Sequence, residues 1–170
     1  MSRSKVSAKL LKRLRTIPIF EHVQGDELSD VAALMTQRSV PSGYTLVTEG
    51  EAGDEMFILL EGRVRISKMT LDQDRYTVAV LDSETTPFFG ELALLDQDRR
   101  SATIETVEDS ELLVLSREDF DRFGDEHPRV GLAIVRALAR RVSEHLRHAN
   151  EDALLLFEAL VGEVRSKAEA

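Results

Sequence analysis

The spacing of apolar residues changes twice along the chain. Between residues 5 and 15, apolar side chains recur three or four positions apart among lysines and arginines, which predicts a short amphipathic helix. A second helix is expected after Asp26, a suitable N-cap. Seven short segments rich in β-branched residues follow, at residues 39–40, 44–47, 56–60, 64–68, 76–81, 102–107 and 111–115. Short strands separated by turns that contain glycine or aspartate predict a closed or two-sheet β structure.

Helical periodicity returns after residue 115. Ser116 and Asp119 resemble a capping box, and they predict a helix that ends near Gly124. Pro128 then opens a long helix as its first residue. Apolar residues on this helix alternate at spacings of four and three, which is the pattern of a coiled-coil seam: Val135, Ala139, Val142, Leu146, Ala149, Ala153, Leu156 and Leu160.

A second apolar stripe on the long helix consists of Leu154, Phe157, Val161 and Val164. The last turns of this helix are therefore apolar on two sides. Since an apolar surface of this extent is normally covered, we expect the helix to form a homodimer with a second copy of the chain or to bind a protein effector.

Charge and composition exclude several classes of function. The 31 acidic residues outnumber the 22 basic ones and give a net charge of −9, which repels a polyanion, so we expect no DNA binding. No apolar run reaches the ~18 residues of a membrane span, and we expect no membrane partner. The chain has no cysteine, which fits a reducing compartment, so we expect a cytoplasmic protein. No nucleophile motif, paired carboxylate motif or metal triad supports an enzyme.

The segment from residue 89 to residue 104 combines a turn with a short run of helix-forming residues. Gly90 allows the backbone to turn closely, and residues 92–95 favour a one-turn helix. The first N–H groups of such a helix lack partners within the helix and can bind a phosphate. The sequence therefore predicts an anion site at this turn.

Two charged residues on either side of this short helix add the remaining chemistry. Glu91 can accept hydrogen bonds from a ribose hydroxyl, and Arg100 offers a planar pair of donors to phosphate oxygens. Ser101 supplies a hydroxyl beside the arginine. Taken alone, each charge is more typical of a surface residue, but their spacing favours a ligand site.

This combination resembles the phosphate-binding cassette of the cyclic-nucleotide-binding domain, the domain found in the catabolite activator protein and in the regulatory subunit of protein kinase A. The resemblance implies that Glu91 binds the ribose 2′-hydroxyl, and that Arg100 and the amides near Leu92 and Ala93 bind the cyclic phosphate. It also includes the glycines at positions 43, 50, 53 and 62, which we interpret individually as turn glycines. The binding residues that it implies in this segment are Phe89, Gly90, Glu91, Leu92, Ala93, Arg100, Ser101 and Ala102.

The resemblance further implies the fold and its division. The expected fold is α+β, with an eight-stranded β-jelly-roll flanked by N-terminal helices and a long C-terminal helix. We divide the chain into an N-terminal helical segment at 1–24, a cyclic-nucleotide-binding β-roll at 25–126 and a C-terminal lid or dimerisation helix at 127–170. About twenty residues follow Asn150, too few for a helix-turn-helix domain, so the resemblance implies a sensor that stands alone without a DNA-binding domain.

The base-binding side is expected near Ile66 and Val78, with a residue of the long helix closing over the base. Serine at position 101 is compatible with either purine cyclic nucleotide. We favour cyclic AMP as the ligand because Arg-Ser-Ala resembles the bacterial receptors, and cyclic GMP is the alternative.

Two other classes of function remain to be compared with a nucleotide sensor. A nucleotide-free structural adaptor could bind a partner through its C-terminal helices. A cupin-like metalloenzyme would need a His-x-His pair, which the sequence lacks. His145 and His148 have no third ligand in view, so we expect no metal.

Overall fold

The computed structural model describes residues 7–85 and 87–168. The α-helices in these residues are α1 Ala8–Leu14, α2 Gly25–Ala33, α3 Arg117–Glu126 and α4 Pro128–Ala168, and short 3-10 turns lie at Pro18–Phe20 and Glu91–Leu94. The strands are β1 Thr36–Val40, β2 Thr45–Val47, β3 Glu55–Glu61, β4 Arg63–Met69, β5 Arg75–Asp82, β6 Phe88–Phe89, β7 Thr103–Thr106 and β8 Ser110–Ser116.

The strands form two four-stranded antiparallel sheets. Their orders are β1-β8-β3-β6 and β2-β7-β4-β5, so successive strands alternate between sheets through much of the roll. This arrangement confirms the expected eight-stranded jelly roll with flanking helices. The inward side chains of the two sheets pack into one cluster, made of Val40, Val47, Phe57, Leu59, Val64, Phe89, Ile104, Leu112 and Val114.

The seven strand segments expected from the sequence overlap β1 to β5, β7 and β8, with shifts of a few residues at their ends. The residue pattern did not predict β6, which the resemblance to an eight-stranded fold required. The reason is its length, since a strand of two residues shows no alternation of polar and apolar positions. Its place in the sheet comes from pairing with β3, where Phe89 lies opposite Phe57.

The helix starts are partly as expected. Asp26 is not the N-cap of α2, because Gln24 holds that position and the helix begins at Gly25. The N–H of Gln24 is bound instead by the Glu27 carboxylate at 3.4 Å, while Asp26 lies in the first turn, where a negative charge complements the helix dipole. The first expected helix begins at Ala8, and residues 5 and 6 lie outside the described residues.

The cap of α3 is confirmed, but its end is not. The Ser116 hydroxyl accepts the Asp119 N–H at 3.1 Å. The helix continues past Gly124 to Glu126, and Pro128 opens α4 as expected. A side chain at Gly131 would lie 2.9 Å from the Cα of Gly124, so the backbones of α3 and of the first turns of α4 meet with no side chain between them.

Two compact units are present, one up to Val135 and one from Arg136 onward. The first contains both sheets, and the second is the remainder of α4. The division expected at residues 24 and 126 stays a prediction. Among the helices of residues 7–85 and 87–168, none has the length and the apolar content that a bilayer crossing requires.

Gly62, between β3 and β4, provides a test of the roll. Its φ is 98°, and an added Cβ would overlap the Ser110 hydroxyl and lie 2.8 Å from the Asp109 carbonyl oxygen. We expect Gly62→Ala to lower the free energy of unfolding by about 2 kcal/mol or more, measured by urea denaturation. The matched control is Gly124→Ala, whose Cβ would meet no atom within 4 Å and which should be neutral or stabilising. Equal stabilities for the two variants would contradict the close packing of Gly62 against Ser110 and Asp109.

Candidate functional site

Arg100 is held by the loop that precedes β3. Its N–H donates to the Glu51 carbonyl at 2.9 Å, and its own carbonyl accepts the Gly50 N–H at 2.9 Å. The two chain segments therefore run side by side at Arg100. This pairing fixes where the arginine side chain leaves the backbone.

The Arg100 guanidinium packs directly on the backbone of Gly53. A Cβ added at Gly53 would overlap Nε of Arg100 and lie 2.6 Å from its Nη2. Gly90 is close on another side, since a Cβ there would lie 3.2 Å from Nη1. The Cζ atom also lies 6.0 Å from the centre of the Phe57 ring. Two glycines and one aromatic ring thus surround the guanidinium.

The structure corrects the interpretation of one glycine. The glycines at 43, 50 and 62 have positive φ, as expected for turns, whereas Gly53 does not. Gly53 is required for space rather than for backbone conformation, because any larger residue would collide with Arg100. The sequence did not reveal this role, since it depends on a residue in another loop.

Burial and nearby charges act on Arg100 in opposite directions. Loss of solvent lowers the pKa of the guanidinium, and the carboxylates of Glu55 and Asp54 raise it, while the Arg117 cation lowers it further. An arginine nevertheless stays charged at physiological pH. The site therefore contains a partly desolvated cation, which favours an anionic ligand.

Glu55 is shared with a second arginine that the sequence did not single out. Arg38 on β1 pairs with Glu55 at 3.1 Å, and its Cζ lies 5.9 Å from the centre of the Phe57 ring. Arg38 and Arg100 are thus both close to the same carboxylate and the same ring. The sequence alone does not reveal this contact, because Arg38 lies in β1 and Glu55 in β3. The two strands are neighbours of β8 in the same sheet.

The short helix of the expected anion site is a 3-10 turn. It spans Glu91–Leu94 and follows Gly90, whose φ is 73°, so it begins one residue before the expected start. The Ala93 N–H donates to the Gly90 carbonyl at 3.1 Å and is therefore engaged within the turn. The Leu92 amide precedes this first bond of the turn and is better placed to meet an anion.

The other expected residues lie around this turn. Phe89 is buried and stacks on Phe57 with ring centres 5.3 Å apart, while Glu91 is partly buried. Ser101 is exposed, and Ala102 is partly buried ahead of β7. The residues expected to bind the ligand thus differ in burial, with Phe89 inside the roll and Ser101 at its surface.

The two residues expected at the base-binding side differ in environment. Ile66 packs against the core cluster between the sheets, whereas Val78 is 52% exposed. Ile66 pairs with Ala79 and Ser67 pairs with Thr77, so the register shifts between these two pairs. Val78 is the unpaired residue of a bulge, and its contact with a base stays a prediction.

No three histidine, aspartate or glutamate side chains gather at metal-binding distances in the part of the chain that the structure describes. His148, which was weighed as a ligand, lies 3.5 Å from Glu151 on the same helix. This contact is an ordinary i,i+3 pair on an exposed helix surface.

Comparison with known proteins identifies the family. A model of the cyclic nucleotide-binding domain matches residues 37–127. The cyclic AMP receptor protein of Thermus thermophilus is 32% identical over 127 residues, which cover 75% of this chain and 58% of that protein. The chain therefore spans less than two thirds of the length of that relative.

Solved structures agree with this result. The catabolite activator protein of Thermus thermophilus superposes with a TM-score of 0.73 at 30% identity, over 82% of this chain and 62% of that one. The regulatory domain of Toxoplasma gondii protein kinase A, crystallised with cyclic AMP, gives a TM-score of 0.63 at 28% identity, over 72% of this chain and 47% of that one. Because the family model matches more than half of the 170 residues, the chain belongs to the cyclic-nucleotide-binding domain family, a family of regulatory ligand-binding domains.

Proposed function

We propose that this chain is a cyclic-nucleotide sensor that binds its ligand at Arg100. The observation that carries the proposal is the half-buried guanidinium packed on Gly53 beside the Glu91–Leu94 turn. In this proposal the cyclic phosphate pairs with Arg100 and the Leu92 amide, and the ribose 2′-hydroxyl donates to the Glu91 carboxylate. The chain acts as a regulatory module rather than as an enzyme.

Cyclic AMP is the ligand that we favour. Ser101 follows the arginine as in the bacterial pattern, and the relatives described above include a cyclic AMP receptor protein and a regulatory domain of protein kinase A crystallised with cyclic AMP. Cyclic GMP is the alternative, because a serine hydroxyl can bind the phosphate of either nucleotide. A titration with both nucleotides separates the two.

The regulatory output is proposed to pass through α3 to α4. Apolar residues of the heptad seam are exposed on the single chain, with Leu146 60%, Leu156 72% and Leu160 59% exposed. Phe157 and Val164 of the second stripe are also exposed. This surface favours a homodimer through α4, whose geometry changes when nucleotide binding repositions the helix.

The first prediction concerns the phosphate partner. We expect isothermal titration calorimetry to show binding of cyclic AMP to the wild-type chain, and Arg100→Ala to weaken it by at least about thirtyfold, or about 2 kcal/mol. Arg63→Ala is the control, since Arg63 is exposed on β4 and pairs with Glu108 at 3.8 Å. Absence of heat with both nucleotides at high protein concentration would overturn the sensor and favour the nucleotide-free adaptor.

The second prediction concerns the packing of Arg100. Gly53→Ala should weaken cyclic AMP binding by about tenfold, because the added methyl displaces the guanidinium from its place. The same titration measures the effect. Gly124→Ala serves again as the control, since its methyl meets no atom. Wild-type affinity in Gly53→Ala would show that the position of Arg100 against this loop does not matter for binding.

The third prediction concerns the dimer. Leu156→Glu, on the heptad seam, should shift the chain toward monomer in sedimentation velocity, because a charge at a core position of a coiled coil is strongly unfavourable. Leu155→Glu is the matched control, since Leu155 is 64% exposed but lies on neither apolar stripe. A wild-type chain that is monomeric with and without nucleotide would remove the homodimer from the proposal.

A further inference from the structure

Arg117, the first residue of α3, joins two segments of the nucleotide site. Its Nε donates to the Ala93 carbonyl at 2.6 Å. Its backbone N–H donates to the Asp54 carbonyl at 2.7 Å. One residue therefore holds the start of α3 both to the Glu91–Leu94 turn and to the loop that precedes β3.

These two segments are the ones that flank Arg100. Asp54 follows Gly53, on whose backbone the Arg100 guanidinium packs, and Ala93 belongs to the turn that is proposed to bind the phosphate. The Arg117 cation is also close enough to affect Arg100 electrostatically. A movement of either segment toward a bound anion would consequently reach Arg117.

The hydrogen bond to Ala93 is difficult to replace with water. Ala93 is 5% exposed, and its backbone donor and acceptor are both engaged, because the N–H donates to the Gly90 carbonyl and the carbonyl accepts from Arg117. A buried carbonyl that loses its donor stays unsatisfied at a considerable cost. The turn and the guanidinium of Arg117 are therefore expected to move together.

Caps and buried side chains stabilise the start of α3 after Arg117. Ser116 and Asp119 cap it, and Phe120 and Phe123 are buried. A displacement imposed on the first residue is thus applied to a capped and packed helix rather than to a frayed end.

We propose that Arg117 is a positioning residue that transmits occupation of the Glu91–Leu94 turn to α3. The inference rests on the proposed nucleotide binding and deepens it. Arg100 and the Leu92 amide bind the phosphate and draw the turn toward it, and the Ala93 carbonyl carries Arg117 with it. The response of α3 depends on this bond, whereas binding itself depends mainly on Arg100.

The test combines calorimetry with hydrogen exchange of residues 117–126 on the full chain, with and without cyclic AMP. Wild type is expected to bind and to change the exchange protection of α3. Arg117→Ala should bind roughly two- to fivefold more weakly, through loss of a nearby cation, and should lose most of the nucleotide-dependent change in α3. Arg122→Ala is the matched control, because it removes the same charge from an exposed position on the same helix and should keep the change.

Arg117→Lys separates charge from hydrogen-bond geometry. The ammonium keeps the cation but not the planar donor, so we expect wild-type affinity with a reduced change in α3. Circular dichroism checks that each variant folds. If Arg117→Ala does not fold, the result for Arg117→Lys alone tests the role of Arg117.

The possible results are distinct. A wild-type chain that binds neither cyclic AMP nor cyclic GMP overturns the proposed function. A wild-type chain that binds without a change in α3, or an Arg117 variant that binds and keeps the full change, overturns only the role of Arg117.

Discussion

A guanidinium that is partly removed from water must be compensated by neighbouring groups, and the organisation of the proposed nucleotide site follows from how Arg100 meets this requirement. The loop before β3 binds its backbone and offers the bare surface of Gly53 for its side chain. The carboxylates of Glu55 and Asp54 supply negative charge from the protein. The arrangement stabilises the cation without enclosing it on every side, since Arg100 is only partly buried.

The shared carboxylate has a functional implication for affinity. Glu55 interacts with Arg38 directly at 3.1 Å and acts on Arg100 over a longer distance. A phosphate at Arg100 would approach Glu55 against like-charge repulsion, and Arg38 reduces that repulsion by neutralising the carboxylate. In the proposed site, the affinity would therefore depend on three charged groups on separate segments and not on Arg100 alone.

The sequence predicted the parts of this structure that local patterns encode. Runs rich in β-branched residues located the seven longer strands, and Ser116 marked the cap of α3, while the composition of the Phe89–Ala102 segment predicts an anion site. Contacts between distant segments were not predictable in the same way. Gly53 appeared to be a turn glycine until its contact with Arg100 was visible, and Arg38 and Arg117 carried no motif. The bulge at Val78 was not predictable either, because it appears only in the register between β4 and β5.

The meeting of Gly124 and Gly131 bears on the mechanical character of the junction between α3 and α4. Side chains between two helices act as compressible spacers, since their rotamers can adjust when one helix rotates. Here the two backbones approach so closely that no side chain fits between them, and no rotamer can adjust at this contact. A rotation of α3 would therefore move the first turns of α4 directly, because no side chain at this contact can absorb it.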